Sequence, residues 1–454
     1  MAAKSLPQPA VAHRARFKDQ SARTLLPVIL LSLPIFGLLF HCAYHSYHGS
    51  HHHGTDLIHG LGSIDSIDAD ESLSSSASNV FLYVASYGGS VTTLKITRGG
   101  DGVHLRPVAT TEGCAGSPSW LTLDSANDVL YCTDEGLSLT AGDGSLSSFR
   151  TISDGSLVRL ERLRTVAGPV SAVLYGKDGN GLAVAHYGGS ALTSWDIKDP
   201  ENIKSVQTRL FKLSQPGPDP SRQEASHPHA AAVDPKGKFV LVPDLGADLV
   251  RIYATNEDDL NLQEREPLVV APGSGPRHVA FADKGKKTFM YLVTELGNTV
   301  VGYEVTYDDD DIAFEQIWSS GIHGKDRKVP KGAAASEIAI SPDSNFLILA
   351  SRSENHLSIP NPNPTNKTQI TSDPLINFSI DSKTGDLELL QEVPCGGRVP
   401  RQFSVNQAGD LVAVALQNDG RVAVIERDVQ TGVLGEIVAY ADIEGEVTTV
   451  IFNE

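Results

Sequence analysis

The chain has 454 residues, of which 40% are hydrophobic and 20% charged, so it is neither disordered by composition nor embedded in a membrane over its whole length. Its 37 Lys and Arg residues face 55 Asp and Glu residues, and the net charge of −18 argues against general nucleic-acid binding, because phosphate contacts need a basic surface. Its four cysteines are too few for a small disulfide scaffold and lack the Cys-x-x-Cys spacing of structural zinc sites.

The N-terminal region has the pattern of a membrane-targeting segment. Residues 1–24 form a basic tail with one acidic residue, Asp19, and residues 25–44 form an uncharged, mainly apolar stretch long enough to span a bilayer. We expect a transmembrane or signal-anchor helix, with the basic tail in the cytoplasm and the following residues in a lumen or outside the cell. A cleaved signal peptide, which would make the protein secreted, is the alternative.

Residues 45–78 are rich in His and Ser and are predicted to form a flexible polar linker. Adventitious metal binding by these histidines is the alternative. We expect no metal site elsewhere and no cofactor, because the sequence contains no nucleotide, flavin or haem signature. Two sequons, at Asn366 and Asn377, would be available for glycosylation on the lumenal side of a membrane.

The remaining chain repeats one pattern seven times, at intervals of 48 to 65 residues. A short apolar run ends in a polar turn, and a second alternating strand follows, which predicts a pair of antiparallel strands. The runs begin at Phe81, Val129, Gly181, Phe239, Phe289, Phe346 and Leu411. In the copy that begins at Phe346, F-L-I-L-A-S-R-S-E-N-H-L-S-I, the segment H-L-S-I is the expected second strand.

A further strand precedes most copies, and a weaker one follows each of them, often after a T-G-x-L turn. Seven units of four strands predict an all-β fold, a seven-bladed β-propeller over residues 79–454, in which radial repetition removes long exposed sheet edges. The first copy lacks a preceding strand, so we expect the C-terminal segment V-T-T-V-I-F to supply it and close the ring. A β-solenoid or two stacked sandwiches are the alternatives, but solenoid coils are usually shorter than these units.

Polar residues of all blades are expected to meet at one mouth of the central channel. The first strand of a blade and its neighbour run antiparallel, so the start of one and the end of the other lie at the same mouth. The residues at the strand starts include Ser119, Ser171, His227, His229, Arg277, His278, Glu337, Arg401 and Gln402, and those at the ends of the second strands include Tyr87, Glu135, Tyr187, Asp244, Glu295, Arg352 and Gln417. Arg and His gathered there would attract an anion in spite of the net charge.

The segment from Ser226 to Tyr303 carries the most specific family resemblance. It contains S-H-P-H-A-A-A-V-D-P-K-G-K-F-V-L-V-P-D-L-G-A-D, G-S-G-P-R-H-V-A-F and V-T-E-L-G-N-T-V. These motifs resemble the seven-bladed lactonase family, which includes 6-phosphogluconolactonases and carboxy-cis,cis-muconate cyclases. The resemblance extends over residues 79–454, and the H-P-H and P-D-L-G-A-D motifs are more similar to the lactonase branch.

The resemblance implies four catalytic positions and draws attention to further ones. The catalytic positions are His227 in H-P-H, Arg277 in G-P-R-H, Glu295 in T-E-L-G-N and Arg352 in A-S-R-S-E-N. The resemblance also draws attention to Glu337 and Arg401. Together with His229 and His278, which lie at predicted strand starts, they are the predicted substrate-binding residues.

The chemistry of lactone opening suggests a role for each predicted catalytic residue. Glu295 or His227 could act as the general base, and Arg277 could stabilise the developing oxyanion. Arg352 and Arg401 could hold a carboxylate or phosphate. Structural roles are the alternative: the arginines could be ion-pair links between blades, Glu295 could cap a turn, and the histidines could bond the strand crossover.

Three functions remain open at this stage. The first is a lactonase-type hydrolase acting on a small anionic sugar or carboxylated lactone. The second is a muconate-type cycloisomerase, which would use the same residue types. The third is a non-catalytic, membrane-anchored binding platform, because propellers host many unrelated functions. The sequence does not indicate an oligomeric state. Cys114 and Cys132 could pair in an oxidising lumen.

Overall fold

The computed structural model describes residues 80–100, 102–137, 142–256, 259–308 and 311–454. The predicted basic tail (1–24), apolar segment (25–44) and linker (45–78) lie outside the described residues. Within the described ranges, no helix is both long and apolar enough to cross a membrane.

The described chain begins with the first four blades. Blade 1 contains β1 (Val80–Ser86), β2 (Ser90–Gly99) and β3 (Gly102–Thr111), and blade 2 contains β4 (Pro118–Asp124), β5 (Val129–Asp134), β6 (Gly144–Thr151) and β7 (Leu157–Thr165). Blade 3 contains β8 (Pro169–Tyr175), β9 (Gly181–His186), β10 (Ala191–Asp196) and β11 (Lys204–Leu210), with a 3-10 turn at Lys177–Gly179. Blade 4 contains β12 (Ala232–Val233), β13 (Phe239–Asp244), β14 (Leu249–Ala254) and β15 (Gln263–Val269).

Three further blades complete the ring. Blade 5 contains β16 (Pro276–Asp283), β17 (Thr288–Thr294), β18 (Thr299–Tyr307) and β19 (Ile312–Gly321). Blade 6 contains β20 (Ala334–Ile340), β21 (Phe346–Arg352), β24 (Pro374–Ile380) and β25 (Leu387–Pro394), and carries an extra hairpin of β22 (Leu357–Pro360) and β23 (Gln369–Ser372). Blade 7 contains β26 (Pro400–Val405), β27 (Leu411–Leu416), β28 (Arg421–Arg427) and β29 (Leu434–Asp442), with a 3-10 turn at Gln417–Asp419.

The last strand, β30 (Val447–Phe452), joins blade 1 and closes the ring. It pairs antiparallel with β1, so that Leu82 lies opposite Phe452 and Val84 opposite Val450. β30 also contacts β26 and β4, the innermost strands of the two adjacent blades. The predicted propeller of seven four-stranded blades and its C-terminal closure are therefore confirmed.

Burial explains why the second strand of each blade gave the strongest sequence signal. All residues of β5, β9, β13, β17 and β27 are buried, because both faces of these strands pack against adjacent blades. Continuous apolar runs such as F-V-L-V meet that requirement, since each buried side chain removes apolar surface from water. Outer strands such as β7 and β11 mix exposed and partly buried positions, which makes their sequence pattern weaker.

In blade 6, one predicted strand is wrong. The H-L-S-I segment does not pair with β21; its residues from Leu357 onward form β22, which makes a separate two-stranded sheet with β23. β21 pairs instead with β24, whose sequence P-L-I-N-F-S-I is buried at six of seven positions. The apolar segment P-L-I-N-F-S-I occupies the third position of the blade, because H-L-S-I-P has much less apolar surface to bury and ends at Pro360.

This extra hairpin determines the different positions of the two sequons. Asn366 is exposed between β22 and β23. Asn377 is buried in β24, where its Nδ2 atom donates a hydrogen bond of 2.7 Å to the carbonyl oxygen of Gly432. A glycan on Asn377 is therefore incompatible with blade 6, whereas Asn366 leaves room for one.

A disulfide joins Cys114, which precedes β4, to Cys132 on β5, with a Cα–Cα distance of 5.9 Å. It ties the connection between blades 1 and 2 to the second strand of blade 2. Disulfides are typical of oxidising compartments.

Two histidines and two glutamates form a ring of ion pairs beside the extra hairpin. His323 lies 3.1 Å from Glu354 and 2.9 Å from Glu392, and His356 lies 3.2 Å and 2.9 Å from the same carboxylates. The side chain of Glu354 is fully buried, and that of His323 nearly so. Burial disfavours the charged form of His323, but hydrogen bonds to Glu354 and Glu392 outweigh it and raise its pKa to about 9.

We expect this ring to make stability depend on pH in the alkaline range. A raised histidine pKa stabilises the fold fully below the ordinary value of 6.5, and this contribution disappears as the pH rises through about 9. Its size is at most about 3 kcal/mol, because solvent screens part of the interaction. Urea unfolding at about pH 6 and pH 10 should show a larger loss for the wild type than for His323→Gln. Equal losses in the two proteins would contradict the assignment.

Candidate functional site

Side chains from every blade meet at one mouth of the channel, as the strand polarity predicted. They are Tyr87 (blade 1), Trp120 and Glu135 (blade 2), Tyr187 (blade 3), His227 and His229 (the segment leading into blade 4), Arg277, His278 and Glu295 (blade 5), Glu337 and Arg352 (blade 6) and Arg401 (blade 7). All eight sequence-predicted site residues lie in this group.

Irregular pairing at the start of the innermost strands helps to aim these side chains. The register shifts between Pro276 and His278 in blade 5, and between Pro400 and Gln402 in blade 7. Blade 6 has a similar shift between Ala335 and Ile338. Bulges reorient side chains that regular alternation would send to opposite faces, which explains how neighbours such as Arg277 and His278 both serve the site.

The carboxylate of Glu295, directly after β17, is the centre of an arginine cluster. Its Oε2 atom lies 3.0 Å from Nε of Arg277 and 2.8 Å from Nη2 of Arg352. Its Oε1 atom lies 2.6 Å from Nη2 of Arg222. Three cations from different elements therefore share one buried anion.

The pKa values in this cluster follow from burial and charge. Burial alone would raise the pKa of Glu295, but the charges of Arg352, Arg277 and Arg222 hold it well below its usual range. Burial and the neighbouring charge of Arg352 lower the pKa of Arg277 to about 9. At neutral pH, Glu295 is therefore an anion with little affinity for a proton, and Arg277 is still a cation.

Arg222 is a site residue that the sequence analysis missed. It lies on the long connection between β11 and β12, and its Nη2 atom also lies 3.4 Å from the hydroxyl of Tyr187. The next residue, Gln223, is fully buried and anchors this loop by donating to the carbonyl oxygen of Leu245. The strand periodicity carries no information about such a loop, and only the unusual length of this connection could have pointed to it.

His227 supports the site through contacts that occupy both ring nitrogens. Nδ1 lies 2.9 Å from the carbonyl oxygen of Tyr187, and Nε2 lies 3.1 Å from Glu224. The ring stacks on Tyr187 with centroids 4.3 Å apart, and the backbone N–H donates to Asp244. The same carboxylate also accepts from Ser226. β12 has only two residues and is therefore shorter than the predicted strand, although His229 still donates its backbone N–H to the carbonyl oxygen of Pro243.

His229 and His278 lie deeper, with ring centroids 5.3 Å apart. The Nδ1 atom of His278 lies 2.8 Å from Oε1 of Glu337, and the ring makes an edge contact with Trp120 on the opposite side of the channel. Burial lowers the pKa of His278, and burial together with the charge of Arg277 holds the pKa of His229 well below its usual range. Both rings are therefore neutral at neutral pH.

Arg401 forms a second arginine site in the group. Its guanidinium donates to the hydroxyl of Tyr87, and its Nη2 atom lies 3.0 Å from Glu135. The Tyr87 hydroxyl donates in turn to the same Glu135 oxygen. Arg401 already has partners for its charge, so it is less available to a ligand than its residue type suggested.

The solvent exposure of the arginine side chains decreases from the mouth inward. The side chain of Arg222 is 39% exposed, that of Arg352 is 17% exposed, and that of Arg277 is only 3% exposed. An anion that enters from solvent would meet Arg222 and Arg352 first and Arg277 last. Within the described ranges, no cluster of His, Cys, Asp or Glu side chains is arranged to hold a metal ion.

Comparisons with known proteins agree with this architecture. A family model described as "Lactonase, 7-bladed beta-propeller" matches residues 81–452. A protein of Arthroderma benhamiae named "Probable 6-phosphogluconolactonase" is 31% identical, over 70% of this chain and 75% of its own. The 6-phosphogluconolactonase of Formosa agariphila is 25% identical, over 78% of this chain and 96% of its own. The solved structure of a periplasmic gluconolactonase from Pseudomonas aeruginosa, 24% identical, superimposes with a TM-score of 0.68 over 82% of this chain and 98% of that one, which supports the fold.

Proposed function

Because the chain belongs to the family of seven-bladed β-propeller lactonases, we propose that it hydrolyses a small anionic lactone at the mouth of the channel. The observation that carries this proposal is the cluster in which Arg222, Arg277 and Arg352 surround Glu295. The names of the relatives make 6-phosphogluconolactone the first substrate to test.

The charge distribution favours an anionic substrate even though the chain carries a net charge of −18. Four arginines lie at the mouth. The buried carboxylates Glu295 and Glu337 and the partly buried Glu135 are each engaged by one of these cations or by His278. Arg222 and Arg352 are the accessible members and would hold the phosphate or carboxylate tail of the substrate, because guanidinium groups pair with such oxygens through two hydrogen bonds.

Arg277 is suited to stabilise the oxyanion that forms when the lactone carbonyl is attacked. Its guanidinium is buried and held by Glu295 through Nε, so its direction is fixed before the substrate arrives. A fixed donor in a site that excludes water stabilises developing negative charge more than a solvated one does. Glu295 is not suited to the role of general base, because its low pKa leaves it little affinity for a proton.

A lactone panel assayed with the full chain tests the proposal. We expect hydrolysis of 6-phosphogluconolactone above the spontaneous rate, and slower hydrolysis of unphosphorylated gluconolactone, because the uncharged lactone does not engage the accessible arginines. The absence of hydrolysis above the spontaneous rate across the panel would contradict the proposal. Loss of diene absorbance with a carboxymuconate, without lactone hydrolysis, would favour the cycloisomerase alternative instead.

A further inference from the structure

Four buried polar atoms of the site have no hydrogen-bond partner within the described part of the chain. They are Nη1 of Arg277, Nδ1 of His229, Nε2 of His278 and Oε2 of Glu337. Buried polar groups in folded proteins are almost always bonded to protein or to ordered water. Four unpartnered atoms in one region therefore point to a small polar molecule that binds among them.

The four side chains belong to one continuous set of contacts. Arg277 lies 3.0 Å from Glu295, which lies 3.9 Å from Nε2 of His229. The His229 ring lies 5.3 Å from that of His278, and His278 lies 2.8 Å from Glu337. The unpartnered atoms are therefore distributed along a single path inside the site.

The hydrogen-bond roles of these atoms select water as the molecule. Oε1 of Glu337 accepts from the backbone N–H of Ile338 and lies 2.8 Å from Nδ1 of His278. A carboxylate accepts only, so the neutral His278 ring must carry its hydrogen on Nδ1, which leaves a lone pair on Nε2. Nη1 of Arg277 can only donate. Water can accept from Arg277 and donate to His278.

We propose that a water molecule held between Arg277 and His278 is the nucleophile of the lactonase reaction, and that His278, oriented by Glu337, is the general base. This inference rests on the proposed function and adds to it the source of the attacking oxygen. His278 is then a catalytic residue, whereas Glu337 acts through His278 and is a positioning residue.

The step balances with groups present in the site. The water oxygen forms a bond to the lactone carbonyl carbon while one water proton moves to Nε2 of His278, and Arg277 stabilises the resulting oxyanion. The carbon–oxygen bond of the ring then breaks, and the ring oxygen takes the proton from Nε2 as it leaves. The product is the open hydroxy acid, which ionises in water. Glu337 stabilises the transient imidazolium, the role of a carboxylate placed behind a catalytic histidine.

The surroundings of His278 determine its pH behaviour. Several groups face the His278 ring. They are Arg277 on its own strand β16, Glu337 on β20, His229 from the adjacent blade, Glu295 and Trp120. Burial lowers the pKa of His278, and Arg277 acts in the same direction, whereas Glu337 opposes them. The base is therefore in its active neutral form at neutral pH, and activity should decline only when the pH falls below the ordinary histidine range.

Steady-state kinetics of three variants test the inference. We expect His278→Gln to lower kcat about 10²–10⁴-fold with little change in KM, and to abolish the acid limb of the pH profile. Glu337→Gln should lower kcat less and move the acid limb to lower pH, because the charge that favours the imidazolium is gone. His356→Gln, which replaces a histidine outside the channel, should behave like the wild type.

The possible outcomes separate the two proposals. If the wild type hydrolyses lactones and His278→Gln keeps its kcat, the base role is overturned while the proposed function stands. If the wild type hydrolyses none, the proposed function fails and the base role fails with it. Should His278→Gln not fold, Glu337→Gln decides: an unchanged acid limb overturns the inference, and a shifted limb with lower kcat supports it.

Discussion

Replacement of Arg277 by alanine is expected to lower kcat for lactone hydrolysis about 10²–10³-fold, the usual effect of removing one donor that stabilises an oxyanion. The guanidinium is buried and held by Glu295 at 3.0 Å, so a water molecule that takes its place would supply neither the charge nor the fixed direction. Steady-state rates of wild type and variant, corrected for spontaneous hydrolysis, give the measurement. Arg150→Ala is a matched control, because Arg150 is 53% exposed and forms an ion pair with the surface residue Glu201. An Arg277→Ala rate equal to that of the Arg150→Ala control would contradict the assigned role.

Replacement of Glu295 by glutamine is expected to destabilise the propeller by roughly 3–5 kcal/mol, because one neutral amide would then lie among Arg222, Arg277 and Arg352. Removing one partner of a buried ionic group leaves the other charges uncompensated, and two of these arginines are largely withdrawn from water. The free energy of unfolding in urea is the measurement.

A surface carboxylate offers the control for this variant. Glu201→Gln breaks an exposed ion pair with Arg150 and should change the unfolding free energy by less than about 1 kcal/mol. Similar urea midpoints for Glu295→Gln and Glu201→Gln would show that Glu295 does not hold the arginines together. We also expect Glu295→Gln to lower kcat where it still folds, because Arg277 loses the partner that directs it.

The arginine cluster explains how a strongly acidic chain can accept an acidic substrate. Glu295 keeps three guanidinium groups close together, which their mutual repulsion would otherwise oppose, and two of them remain accessible from the mouth. The electric field near the substrate is set by these nearby groups, whereas the remaining acidic residues on the surface are screened by solvent and salt.

Much of the fold could be predicted from local patterns. The seven apolar runs correspond to β1, β5, β9, β13, β17, β21 and β27, because strands buried on both faces need continuous apolar sequence. The missing innermost strand of blade 1 predicted the closure by β30, since an incomplete sheet leaves backbone groups unpaired. The prediction was wrong at H-L-S-I in blade 6, where a short alternating segment looked like a blade strand but a later and more apolar segment took its place.

Sequence patterns predicted where the candidate site lies and several of its residues, but not how those residues contact one another. Strand polarity placed Arg277, Glu295 and Arg352 at one mouth, but it did not reveal that both arginines share the Glu295 carboxylate. Arg222 escaped detection because a loop has no periodicity that relates its residues to the strands. The expectation that Glu295 or His227 acts as the base considered only residue type, whereas the pKa of Glu295 depends on cations contributed by three separate elements.

The amino-acid sequence alone determined the number of blades, their closure and the end of the channel where polar residues gather, because alternation, turns and strand direction are local properties repeated along the chain. The tertiary structure alone decided which charges meet: Glu295 with Arg222, and His278 with Glu337 of the next blade. Those pairings depend on the bulges that start the inner strands and on the path of one long loop. Both are set by the packing of distant segments and leave little trace in the local pattern.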